Sequence, residues 1–173
     1  MSLIKEIDTP AIIVDLNIVK ENIHTYQRYC DDIGIKLRPH IKTHKIPALA
    51  KLQIGAGAVG ITAQKISEAE AIISEGGIDD VLITYNIIGE QKALRNLCEK
   101  VKVSVVADSS FCIRGLSKTF EGAKEALPVL VECDTGANRC GVISPQEACE
   151  LAELINNSPG LIFGGLMTYP PIS

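Results

Sequence analysis

The sequence predicts an α/β barrel of parallel strands that is left open. Three observations carry this. Short apolar runs rich in Val and Ile alternate with helical stretches along the chain. Charged residues fall on strand faces that a sheet covered by helices on both sides has no room for. The strands stop short of the eight that close a (β/α)8 barrel.

Ala11–Asp15 is a short apolar run, followed by a helical stretch to about Cys30. Ile35–Lys42 reads as a strand, and Pro47 suits the first turn of the helix after it. Ala58–Thr62 is a strand, and Ser67–Ser74 a helix that stops at Gly76-Gly77. Val81–Tyr85 is a strand and Gly89–Lys100 a helix. Val101–Ala107 has the Val content of a buried strand, and Phe111–Lys124 reads as helical. Val129–Cys133 is a strand. Ser144, Pro145 and Glu147 then supply an N-cap, an N1 proline and an N3 acid for the next helix. Leu161–Tyr169 is the last strand.

Period-two alternation sends Arg38, His40 and Lys42 to one face, and groups Leu130, Glu132 and Asp134 likewise. Polar groups near the C-terminal rim of a barrel accommodate this better than a doubly wound sheet does. With Ala11–Asp15 outside the barrel, about six of the eight strands are present. The chain runs out at Pro170-Pro171-Ile172-Ser173 with no helix after the last strand. The expectation is one domain, 1–173: a truncated TIM-type barrel that forms part of a longer protein.

Composition narrows the function classes. Aromatics make up 4% and Trp is absent, so no stacking platform for single-stranded nucleic acid is evident. A net charge of -4 without a basic block gives no electrostatic reason for nucleic acid or an anionic membrane as partner. Residues 1–8 lack the apolar core of a signal peptide. The six cysteines form no C-x-x-C pair, as suits reduced thiols. A cytoplasmic setting is expected.

Two polar clusters follow strand ends. In Arg38-Pro39-His40-Ile41-Lys42-Thr43-His44-Lys45, Lys42 has the chemistry of a Schiff-base lysine. Partial burial and the cations Arg38 and Lys45 would favour its neutral form. His40 or His44 would move protons near neutral pH. The plain alternative is a solvated basic loop, and Lys45 is the next candidate amine. In Glu132-Cys133-Asp134-Thr135-Gly136-Ala137-Asn138-Arg139-Cys140-Gly141, Arg139 would hold a phenolate or carboxylate, while Glu132 and Asp134 would pair with Arg38 or Lys42. The plain alternative is an ordinary turn with a surface arginine. Gly55-Ala-Gly57-Ala-Val-Gly60 has the spelling of a dinucleotide loop but lies between a helix and a strand, the reverse of the required order. His40 and His44 share no helical face, so no metal site is read here.

These residues resemble a known family. Asp8-Thr9-Pro10-Ala11, the segment from Arg38 to Lys45, Ala63-Gln64-Lys65-Ile66-Ser67-Glu68-Ala69-Glu70, the segment from Asp134 to Gly141, and Gly165-Leu166-Met167-Thr168-Tyr169 are similar to the D-threonine aldolase and D-serine dehydratase family. The resemblance spans nearly the whole chain. It implies a pyridoxal phosphate (PLP) enzyme of fold type III with an alanine racemase-type barrel. It also implies a small-molecule D-amino acid substrate and a homodimer. By residue, it implies a Schiff base on Lys42, Arg139 on the phenolic oxygen of PLP, Tyr169 against the ring, and Gln64 lining the site; His40, from the strand-end cluster itself, is expected to join the cofactor-binding residues. Phosphate-gripping loops and a C-terminal β-domain with a divalent metal site are implied for the full-length protein, outside this chain. Aldolase is favoured over dehydratase. A non-catalytic PLP-binding protein and a structural remnant that binds nothing are the remaining alternatives.

Overall fold

The computed structural model describes residues 7–170 except Glu90. The expectations for the first six residues and for the chain after Pro170 lie outside these. Five parallel strands form one sheet in the order β1-β2-β3-β4-β5. They are β1 Ile61–Ala63, β2 Asp80–Ile83, β3 Lys102–Ala107, β4 Leu127–Cys133 and β5 Leu161–Thr168. The helices are α1 Leu16–Asp32, α2 Pro47–Gly55, α3 Ile66–Ile73, α4 Gln91–Cys98, α5 Ser110–Phe120 and α6 Pro145–Asn156. The sheet is an open arc of a (β/α) barrel.

One expected strand is not a strand. Residues 35–40 run beside β1, but they pair through a single bridge, His40 to Thr62. Val59 N–H donates to the Leu37 carbonyl and Thr62 N–H to the Pro39 carbonyl. Pro39 has no N–H to return, so the ladder stays one-sided. Residues 11–15 also form no strand, and Ile12 is 96% exposed.

The core lies between the outer face of the sheet and helices α3 to α6. Val81, Ile83, Val105, Val129 and Val131 from the strands meet Ile72, Leu94, Ile113, Leu116 and Ile155 from the helices, all buried. Each Ile or Leu so buried is worth about 1.5–3 kcal/mol relative to exposure. The inner face carries Leu82, Ser104, Leu130 and Glu132. The first three are only half-buried, because the arc does not close over them.

Local signals placed the helices well. Asp15 caps α1 by accepting from Asn17 and Ile18 N–H. Ser144 and Glu147 form the reciprocal capping box of α6, after which Pro145 opens the helix. Ser144→Ala should lower unfolding stability by about 1 kcal/mol, read as a shift in the urea midpoint. Gly55 ends α2, and Gly57 at φ 123° leads the chain into β1.

One feature escaped the alternation argument. β5 bulges between its pairings with Val129 and Leu130, where Phe163 and then Gly165 face β4, and Gly165 sits at φ 118°. The bulge brings Met167 opposite Glu132, on the inner face.

Candidate active site

Lys42 stands on a 3-10 turn, Ile41–Thr43, just past the His40 bridge. Ile41 is fully buried and anchors the turn. His40 Nδ1 accepts from Lys42 N–H at 3.3 Å and caps it. Lys45 closes the turn in the left-handed region, φ 53°, and its N–H returns to the Ile41 carbonyl. Its Nζ lies 2.8 Å from Glu68 Oε1 on α3.

The opposite wall is the end of β4 and the loop after it. Glu132 is 1% exposed, and its Oε1 accepts from Cys140 Sγ–H at 3.0 Å. Its Oε2 is buried with no hydrogen-bond partner. Asp134 Oδ1 accepts from the N–H groups of Gly136 and Asn138, which folds the loop back on itself. Gly141 N–H donates to Asp108 Oδ2 after β3, and Asp108 N–H donates to Asn86 Oδ1 after β2. Three strand-end loops are thereby laced together. Arg139 emerges from this frame with its guanidinium 4.4 Å from the centre of the Tyr169 ring. Lys42 Nζ approaches the same ring at 5.8 Å. Thr135 and Thr168 hydroxyls, 2.7 Å apart, tie the Arg139 loop to β5.

His40, Lys42, Gln64, Arg139 and Tyr169 therefore line one cavity of about 580 Å³ at the C-terminal ends of the strands. All five residues chosen from the sequence meet there. The choice had omitted Thr84, Asn86, Cys140 and Met167, which share the lining. Their only signal was position at or just beyond a strand end.

Some expectations fail. Arg38 does not join Lys42; it reaches the N-terminal end of the strands and pairs with Asp80, the first residue of β2, at 2.8 Å. A Cβ on Gly60 would collide with its guanidinium. Glu132 and Asp134 pair with neither Arg38 nor Lys42, because nearer donors, Cys140 and the loop amides, take them. Lys42 is exposed rather than partly buried, and both flanking cations are neutralised by carboxylates.

Burial, then the Lys42 charge, pushes the His40 ring below its ordinary value, against Glu68 and the Thr62 backbone. His40 is thus neutral at pH 7. With Nδ1 accepting, Nε2 carries the proton and faces the Thr84 hydroxyl at 3.4 Å. His44 is also held low by burial. Burial and then Glu132 raise the Cys140 thiol, so it remains a donor. Both histidines have folded values below their unfolded ones. Their contribution to stability is complete above the ordinary 6.5 and is lost as pH falls through the folded values. The melting temperature should therefore fall as pH drops below the ordinary histidine value of 6.5, with the His40 ring titrating below 6.5 by NMR.

Residues 14–173 match the family model described as alanine racemase, N-terminal domain. The chain belongs to that family. A D-threonine aldolase of Arthrobacter sp is 36% identical over 165 residues, 94% of this chain and 43% of the relative. A 3-hydroxy-D-aspartate aldolase of Paracoccus denitrificans is 37% identical over 169 residues, 95% and 43% of the two chains. The crystal structure of D-threonine aldolase from Filomicrobium marinum superposes with a TM-score of 0.87 at 39% identity, covering 92% of this chain and 43% of that one. The chain thus spans less than half the length of these relatives. The aldolases and dehydratases it matches are PLP-dependent lyases, and the fold is the alanine racemase-type barrel, truncated. Among the described residues, no helix is long and apolar enough to cross a membrane, and no group of three or more His, Cys, Asp or Glu could hold a metal ion.

Proposed function

We propose that residues 1–173 are the barrel part of a PLP-dependent lyase that cleaves a D-3-hydroxy amino acid. The observation that carries this is the convergence of Lys42 and Arg139 on the Tyr169 ring within one cavity. The donor set fits the cofactor: a primary amine for its aldehyde, a guanidinium for its phenolic oxygen, and an aromatic face for its ring. The unpartnered Glu132 Oε2 marks a buried acceptor at the same cavity.

PLP supplies an electron sink for bonds at the substrate α-carbon. The chain's own residues do the rest. Lys42 Nζ, the primary amine of the cavity, would hold the cofactor at its aldehyde and must be unprotonated to do so. Arg139 would hold the phenolic oxygen by charge-assisted hydrogen bonds, and its seat on Tyr169 fixes the plane it presents. His40 holds the backbone of Lys42 through Nδ1 and keeps its own proton on Nε2. Gln64 lines the wall beside Lys42. The phosphate grip and the divalent metal belong to other parts of the full-length protein, which we place in the cytoplasm as a homodimer.

Retro-aldol cleavage to glycine and an aldehyde is the favoured reaction. It rests on the aldolases at 36% and 37% identity, against 26% for a Schizosaccharomyces pombe D-serine dehydratase. Dehydration is the second reading, favoured by the D-threo-3-hydroxyaspartate dehydratase from Delftia sp. HT23, with a TM-score of 0.83. Full-length protein incubated with D-threonine should yield glycine and acetaldehyde. Pyruvate and ammonia from D-serine would instead select the dehydratase. Neither product from either substrate would leave a non-catalytic PLP-binding protein.

A further inference from the structure

Lys42 and Lys45 lie three residues apart on one turn, and both offer a primary amine. We infer that Glu68 decides between them: it withdraws Lys45 from the cavity and leaves Lys42 as the reactive amine. The inference rests on the proposed role of Lys42.

Lys45 sits at φ 53°, which turns its side chain away from the cavity toward α3, and it does not line the cavity. Its Nζ meets Glu68 Oε1 at 2.8 Å, and the carboxylate is only 9% exposed. Glu68 Oε2 is not free to release it, because it accepts from Gln64 N–H at 3.0 Å. One side chain therefore ties the end of the Lys42 turn to the strand-to-helix junction that carries Gln64. Lys42 has no ion pair among the described residues, and its Nζ points over Tyr169. An ammonium held by a carboxylate has no lone pair to give, so Lys45 must leave Glu68 before it can add to an aldehyde. Burial works to raise the Glu68 carboxyl, but Lys45 and Gln64 N–H outweigh it, so the holding group is ionised at neutral pH. Glu68 does not line the cavity and is a positioning residue.

The test is the position of a label. The full chain is mixed with equimolar pyridoxal phosphate; amine and aldehyde condense with loss of water. Borohydride then delivers hydride to the C=N carbon and fixes a secondary amine, which peptide mapping locates. The wild-type chain should carry the label on Lys42. Glu68→Gln keeps an acceptor for Gln64 N–H but loses the charge. It should raise label on Lys45 by roughly fivefold, the factor an ion pair of this exposure is worth. Glu68→Gln with Lys45→Met should return to label on Lys42 alone. A folded Glu68→Gln chain labelled only on Lys42 overturns the inference. If that variant does not fold, reductive methylation of the wild-type chain decides: Lys45 should react more slowly than Lys42, and equal rates overturn the inference. Absence of wild-type label on Lys42 overturns the role of Lys42 itself, while the methylation order still reports whether Glu68 holds Lys45.

Discussion

Lys42→Ala should abolish the borohydride-fixed pyridoxal phosphate label and leave the fold intact. Lys42 is exposed, makes no side-chain hydrogen bond or ion pair among the described residues, and sits on a turn anchored by Ile41. Removing such a side chain typically changes stability by no more than about 0.5 kcal/mol. The cost is therefore chemical: no other cavity-lining residue offers a primary amine. In the full-length protein, turnover of D-threonine should vanish with the label, while circular dichroism and the melting temperature stay near wild type. A label that persists at the cavity would show that another amine holds the cofactor.

Gly141→Ala should damage both the fold and the site. Gly141 sits at φ 104°, where L side chains are strained by roughly 1–3 kcal/mol. A Cβ there would stand 2.6 Å from Asp134 N and 2.7 Å from the Cys133 carbonyl carbon. Both are backbone atoms of the β4 end and cannot swing aside. Relief requires the loop to move, which breaks the Gly141 N–H bond to Asp108 and shifts Arg139 off Tyr169. The denaturant midpoint should fall by at least ~2 kcal/mol equivalent, and the pyridoxal phosphate label on Lys42 should weaken. A midpoint equal to wild type would show that the loop does not depend on that glycine.

How much of this was legible beforehand depended on which physical signal carried it. Elements set by local periodicity and caps were readable: β3 from its valines, α6 from Ser144, Pro145 and Glu147. The strand at 35–42 was not, because alternation describes side chains while pairing depends on N–H groups, and Pro39 lacks one. The polar face of that segment was right in direction and wrong in depth. Arg38 and Lys42 share a parity yet serve opposite ends of the strands, since Asp80 stands at the foot of β2. The bulge at Gly165 was invisible to a period-two count, although it is what brings Met167 inward. Lys42 and Arg139, which line the cavity, were singled out because they are charged residues next to strand ends. Glu132, as the buried acceptor, and Cys140, as its donor, emerge only when tertiary structure shows one oxygen taken and the other bare. Tyr169 came from resemblance alone; an aromatic at a strand end carries no signal of its own.

The side-chain bonds from Asn86 to Asp108 and from Asp108 to Gly141 have a kinetic consequence. Loops after β2, β3 and β4 cannot breathe separately, because each holds a backbone amide or side chain of the next. The rim of the cavity should open as one cooperative unit, with the amide protons of Asp108 and Gly141 exchanging with solvent at matched rates in a hydrogen-exchange experiment.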